Sequence, residues 1–97
     1  MNEKEKLLNL IKTKALKKGK FILSSGKESD YYLDLRIVTT DAEGAYLIGK
    51  ILYENLKNLE FDFIGGMTLG ADPIVTSYLL ISYLHGNPKS AFIVRKE

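Results

Sequence analysis

Two stretches of this sequence carry groups suited to anions. The first, Gly65-Gly66-Met67-Thr68-Leu69-Gly70-Ala71-Asp72, follows a short apolar run and precedes Pro73 and a long apolar segment. That is the order of a strand, a turn and a helix. Glycines there let backbone amides approach a phosphate, and a helix start adds partial positive charge. The same glycines would serve equally as a tight strand-to-helix turn. Gly65 and Gly70 have the spacing of a Walker A loop, but Ala71-Asp72 stands where Lys-Ser/Thr is needed, and Gly-x-Gly-x-x-Gly is absent. This stretch is therefore not a Walker loop, and a dinucleotide Rossmann site is unsupported. The second stretch, Arg95-Lys96, follows another apolar run. It would aim two cations at the carboxyl edge of a sheet, where open α/β sheets bind ligands. A solvated strand end is the plainer reading. Arginine is scarce, with only Arg36 and Arg95 beside twelve lysines, and its forked guanidinium suits phosphate or carboxylate.

Other chemistry is thinly supplied. His85, the single histidine, lies in a Gly-Asn-Pro turn with no Ser, Cys or acidic neighbour in sequence, which leaves it without a catalytic role. Tyr31-Tyr32 could pack in a core or face a flat ligand, while Tyr46, Tyr53, Tyr78 and Tyr83 read as packing residues with hydroxyls toward water. No pair of spaced carboxylates or nucleophile with an adjacent base emerges, and a metal held by protein ligands is not expected.

The elements that must position these residues follow from periodicity. Leu7, Leu8, Leu10, Ile11, Ala15 and Leu16 predict an amphipathic helix over residues 3–18, stopped by Gly19. Short strands are expected over 20–23 and 30–35 around the turn residues Ser24-Ser25-Gly26-Lys27. Thr40 or Asp41 can cap a second helix running to Leu59. Phe61 to Ile64 reads as a buried parallel strand, Gly65 to Asp72 as a loop, and Pro73 as the first residue of a buried helix reaching Leu84. Ala91 to Val94 reads as a second buried strand. The order closes in one βαβ unit with a right-handed crossover. Two parallel strands make a poor sheet, so the pattern reads as part of a larger α/β domain.

Composition bounds the partners. At 97 residues the chain is one domain or part of one, and it can bury only about two-thirds of its unfolded surface. With 45% hydrophobic and 27% charged residues it lies outside the disordered class. Pro73 to Leu84 is too short and too polar to span a membrane. No secretory signal is visible and cysteine is absent, so a cytoplasmic protein is expected. Residues 1–27 hold eight lysines against two glutamates, while the remainder is acidic. These lysines read as the solvated face of the first helix, with nucleic acid a minor alternative.

Three segments in register carry a resemblance. Phe21 to Ser29 followed by Asp30-Tyr31-Tyr32-Leu33-Asp34-Leu35-Arg36, the stretch from Phe61 to Pro73, and Ala91 to Glu97 together resemble orotate phosphoribosyltransferase in order and spacing. The resemblance implies a type I phosphoribosyltransferase fold, with a hood of helix and short strands in residues 1–40 and the start of the parallel α/β core in residues 41–97. It implies transfer of ribose 5-phosphate from phosphoribosyl diphosphate to orotate, giving orotidine 5′-phosphate for pyrimidine synthesis. Mg²⁺ would ride on the diphosphate, and the enzyme would be a homodimer with shared sites.

On the same footing, Arg95 and Lys96 correspond to a basic pair contacting phosphoribosyl diphosphate, and Thr68 and Leu69 to the loop whose backbone meets its pyrophosphate. Tyr32 and Leu33 correspond to hood residues against orotate. Ser24 stands where some members carry a substrate-reaching lysine, which leaves Lys27 as a substitute, and Leu69 replaces a basic residue of some members. The family's ribose-phosphate motif falls past Glu97. The resemblance therefore implies an N-terminal half, truncated and inactive unless complemented. A shortened module that only dimerises or binds a phosphorylated ligand is the alternative.

Overall fold

The computed structural model describes residues 1–96. Asn2 opens helix α1 (Glu3–Leu10) by accepting the Glu5 amide at 2.9 Å, a side-chain cap on an otherwise orphaned donor. The helix continues as a π-helical turn over Ile11–Ala15 and stops there. Leu16 is already extended and begins strand β1 (Leu16–Ile22), which pairs antiparallel with β2 (Glu28–Leu33). The helix expected to reach residue 18 is thus three residues too long, and Gly19 is no helix stop. It lies inside β1 at φ 145°, where the register shifts between Lys18 and Phe21. Only glycine takes that conformation readily. Pairing with β2 overrides a leucine–lysine pattern that by itself suits a helix.

The expected turn closes the hairpin, with Gly26 at φ 85° and the Leu23 amide donating to the Lys27 carbonyl at 2.9 Å. A short helix absent from the sequence reading, α2 (Arg36–Thr39), follows and buries Val38. Asp41 then caps α3 (Ala42–Leu56), accepting the Gly44 amide at 2.9 Å as its position suggests. The helix ends at Leu56, short of the expected Leu59.

Strand β3 (Phe63–Met67) and β4 (Ser90–Val94) form a parallel pair flanking helix α4 (Ala71–Leu84), the expected βαβ unit. Gly65 and Gly66 belong to β3, paired with Phe92 and Ile93, so the expected eight-residue loop contracts to Thr68, Leu69 and Gly70. A Cβ on Gly66 would stand 2.5 Å from the Ala71 Cβ. This glycine therefore lets α4 fold back closely on the sheet. Pro73 is the third residue of α4 and not the first, still within the turn whose amides have no intrahelical acceptor.

The core sits between the helices. Tyr53, Tyr78 and Ile81 form its buried cluster, flanked by Leu52, Leu56, Phe61, Ile64 and Leu79. Gly49 permits the close crossing of α3 and α4, since a Cβ there would lie 2.6 Å from the Ser77 carbonyl oxygen. Burial is otherwise less complete than the sequence suggests. Helix α4 buries Ser77, Tyr78, Ile81 and Ser82, but Leu80, Tyr83 and Leu84 are exposed. One sheet face meets α4 through Gly66, whereas the other bears Phe63 (61% exposed), Met67 (54%) and Phe92 (52%). Apolar sequence marks a surface able to be covered, and among the described residues nothing covers it.

Candidate functional site

The turn between β3 and α4 is fixed from three directions. The Thr68 amide donates to the Val94 carbonyl at 2.8 Å, the Asp72 amide to the Leu69 carbonyl at 3.1 Å, and the Thr68 hydroxyl to an Asp72 carboxylate oxygen at 2.5 Å. The Thr68–Leu69 peptide is cis. The first of these bonds ties the turn to the last residue of β4, and Arg95 and Lys96 follow directly, both exposed. Thr68, Leu69, Arg95 and Lys96 are thereby brought to one edge of the sheet, at the carboxyl ends of both strands. Two cations and a helix start converge there, an arrangement that favours a multiply charged anion.

Amide accounting refines which groups are available. With the Thr68 amide engaged by Val94, the Leu69, Gly70 and Ala71 amides have no acceptor among the described residues. The Leu69 side chain is 81% exposed. Gly70 has an ordinary helical backbone, φ −58° and ψ −37°, and a Cβ on it would meet nothing within 4 Å. Beside the turn lies a crevice of about 210 Å³ lined by Gly66, Asp72, Val75, Thr76, Phe92 and Ile93.

Tyr32 and Leu33 are held apart from this edge, on the separate β1–β2 sheet. Both are exposed, as is Tyr31, so core packing is not their role in this chain. The Tyr32 ring lies 5.8 Å from that of Phe21, and Tyr32 pairs across the ladder with Lys17. Ser24 and Lys27 are exposed at the hairpin turn. Arg36 donates its Nε to Asp34 at 3.2 Å, and this pairing lowers the Asp34 carboxyl pKa. His85 is exposed at the end of α4, with its ring stacked on Tyr53 at 4.5 Å and Nε2 3.4 Å from the Lys50 ammonium. Tyr78 departs from the expectation that tyrosine hydroxyls reach water: its hydroxyl is buried with no partner among the described residues, and burial raises its pKa.

Asp72 is the residue that sequence reasoning passed over, noting it only as the wrong residue for a Walker loop. Its signal was the Thr68–Asp72 spacing of four across a helix start, a hydroxyl donor placed to reach a carboxylate.

Comparison with known proteins gives a consistent result. No protein-family model matches the chain. The orotate phosphoribosyltransferase of Aquifex aeolicus is 51% identical over 100 residues, which cover 100% of this chain and 55% of that protein. The Streptomyces coelicolor orotate phosphoribosyltransferase is 50% identical over 90 residues, 93% of this chain and 50% of that protein. Among solved structures, Mycobacterium tuberculosis orotate phosphoribosyltransferase in complex with inorganic phosphate superposes with a TM-score of 0.84 at 38% identity, covering 97% of this chain and 54% of that one. The same enzyme in complex with 5-phospho-α-D-ribosyl 1-diphosphate gives 0.81 at 35% identity, covering 98% and 54%. The resemblance drawn from the three sequence segments therefore holds over the whole chain, and the fold is the type I phosphoribosyltransferase fold. The chain spans about half the length of the curated relatives it matches.

Proposed function

We propose that this chain supplies half of an orotate phosphoribosyltransferase, the part that holds the diphosphate of phosphoribosyl diphosphate and presents a hood to orotate, and that it is inactive without the rest of the domain. The observation that carries this reading is the Thr68–Val94 bond of 2.8 Å, which fastens the amide-bearing turn to the strand end that carries Arg95 and Lys96. In the reaction the bond from ribose C1 to the diphosphate oxygen breaks, a bond from C1 to the orotate ring nitrogen forms, and that nitrogen gives up its proton to solvent. The diphosphate leaves with the electron pair. Negative charge grows on that leaving group, so fixed cations and amides aimed at it stabilise the transition state more than the ground state. Arg95 and Lys96 supply the charge, and the Leu69 and Gly70 amides supply oriented donors.

Mg²⁺ neutralises part of the diphosphate charge when bound. The donors near the turn fit an ion carried by the substrate, because among the described residues the one carboxylate at the turn, Asp72, is engaged by Thr68, and the strand end tied to the turn carries Arg95 and Lys96. Tyr32 and Leu33 offer orotate a flat, partly apolar surface with a polar tip. The exposed apolar sheet face and the outer side of α4 support a part that works against further structure, including a homodimer partner. They count against a self-contained binding module, which would not leave such patches bare.

Production of orotidine 5′-phosphate from orotate, phosphoribosyl diphosphate and Mg²⁺ tests the reading. No product is expected from the chain alone. Activity is expected after mixing with the complementary half of the Aquifex aeolicus relative, and the Arg95→Ala chain should lose most of it. A complemented mixture equally active with Arg95→Ala would remove the assigned role.

A further inference from the structure

We propose that Asp72 is a positioning residue for the diphosphate site, holding the Thr68–Gly70 turn so that the Leu69 and Gly70 amides face outward together; this rests on the function proposed above. Of the three bonds that fix the turn, two join backbone to backbone, Thr68 to Val94 and Asp72 to Leu69, and any residue but proline could donate them. The third, from the Thr68 hydroxyl to Asp72, is the one that depends on side-chain identity. Charge assistance makes such a bond stronger than a neutral one. Both residues are half-buried, which limits competition from water.

An acidic residue one turn from a diphosphate would ordinarily weaken binding. Here the carboxylate is turned to Thr68 and lines the crevice between α4 and the sheet, beside Gly66 and Ile93. Its charge is partly offset by the start of α4, where an acidic side chain is favoured. Gly70 agrees with a surface kept clear for a ligand. Neither its backbone angles nor its packing require glycine, yet a larger side chain would stand beside the outward amides.

The test is a calorimetric titration of phosphoribosyl diphosphate with Mg²⁺ into the 97-residue chain, repeated for Asp72→Ala, Thr68→Val, the double variant and Asp72→Asn, with orotate as a second titrant. Backbone order parameters for Leu69 and Gly70 are measured on the same samples. Each single variant is expected to weaken diphosphate binding about tenfold, the double variant to be no weaker than either, and Asp72→Asn, which keeps an acceptor for Thr68, to recover most of the loss. Orotate affinity should hold, and the order parameters should fall only where the bond is broken. Thr68→Val breaks the bond from its other end and carries the test if Asp72→Ala does not fold. Additive losses, unchanged affinity or unchanged order parameters would each overturn the proposal. If the parent chain binds no diphosphate, the functional reading fails, and the order parameters still decide whether Asp72 holds the turn.

Discussion

The α3–α4 pair and the β1–β2 hairpin each hold two elements together, by opposite means. The helices approach through Gly49 and close over Tyr53, Tyr78 and Ile81, with Tyr78 fully buried. In the hairpin only Leu16, Phe21 and Ser29 are even half-buried, and Ile22 is 78% exposed. It is held by its ladder, a tight turn and one tilted aromatic pair. The difference shows where the chain stores its stability and how the site divides. Thr68, Arg95 and Lys96, which we propose to face the diphosphate, stand on the packed unit, while Tyr32 and Leu33 stand on a ribbon that is marginal alone.

Gly49→Ala should show the largest effect, because the new Cβ would lie 2.6 Å from the Ser77 carbonyl oxygen and 2.8 Å from Ile81 Cγ1. A loss of about 3 kcal/mol, the upper end for overpacking, is expected in urea unfolding; a neutral result would mean that the two helices are not locked. Tyr78→Phe removes a buried hydroxyl that has no partner, and should raise stability by about 1 kcal/mol in the same assay. A loss would point to an acceptor for that hydroxyl. Lys18→Ala on the hairpin should change stability by less than about 0.5 kcal/mol, since its side chain is exposed and makes no hydrogen bond or ion pair among the described residues. A loss as large as that of Gly49→Ala would erase the contrast between the regions.

Acid tests the connections outside the buried cluster. The Lys14 ammonium at 2.9 Å and the Gly44 amide hold the Asp41 carboxyl below its ordinary value of 3.8, and Arg36 and Lys57 do the same for Asp34 and Glu54. A carboxylate with a depressed folded pKa contributes stability above its unfolded pKa and loses it as pH falls through the folded value. The thermal midpoint should therefore decline below about pH 4, and by less in high salt because these pairs are exposed. A midpoint flat through that range would show that the pairs contribute nothing.

What could be read from the sequence follows the same division. Asp41 as a cap and the turn at Gly26 are set by local chemistry and stand where expected, and the parallel βαβ unit forms with its first strand moved from the expected 61–64 to Phe63–Met67. The switch from helix to strand at Leu16 is not local, because it exists through pairing with Glu28–Leu33 and a bulge that only Gly19 eases. The bare sheet face was read as buried because apolar periodicity reports what a surface can bury and not what is present to cover it. Thr68, Leu69, Arg95 and Lys96 were legible as residues at strand ends. The bond from Thr68 to Val94 that joins them was not, since it depends on how tightly Gly66 lets α4 close.

Titration of phosphoribosyl diphosphate with Mg²⁺ into the parent chain and Arg95→Ala decides whether this edge of the sheet receives a diphosphate. Saturable binding that Arg95→Ala weakens about tenfold, with the thermal midpoint unchanged, is expected; equal affinity in the two chains would mean that Arg95 does not meet the diphosphate.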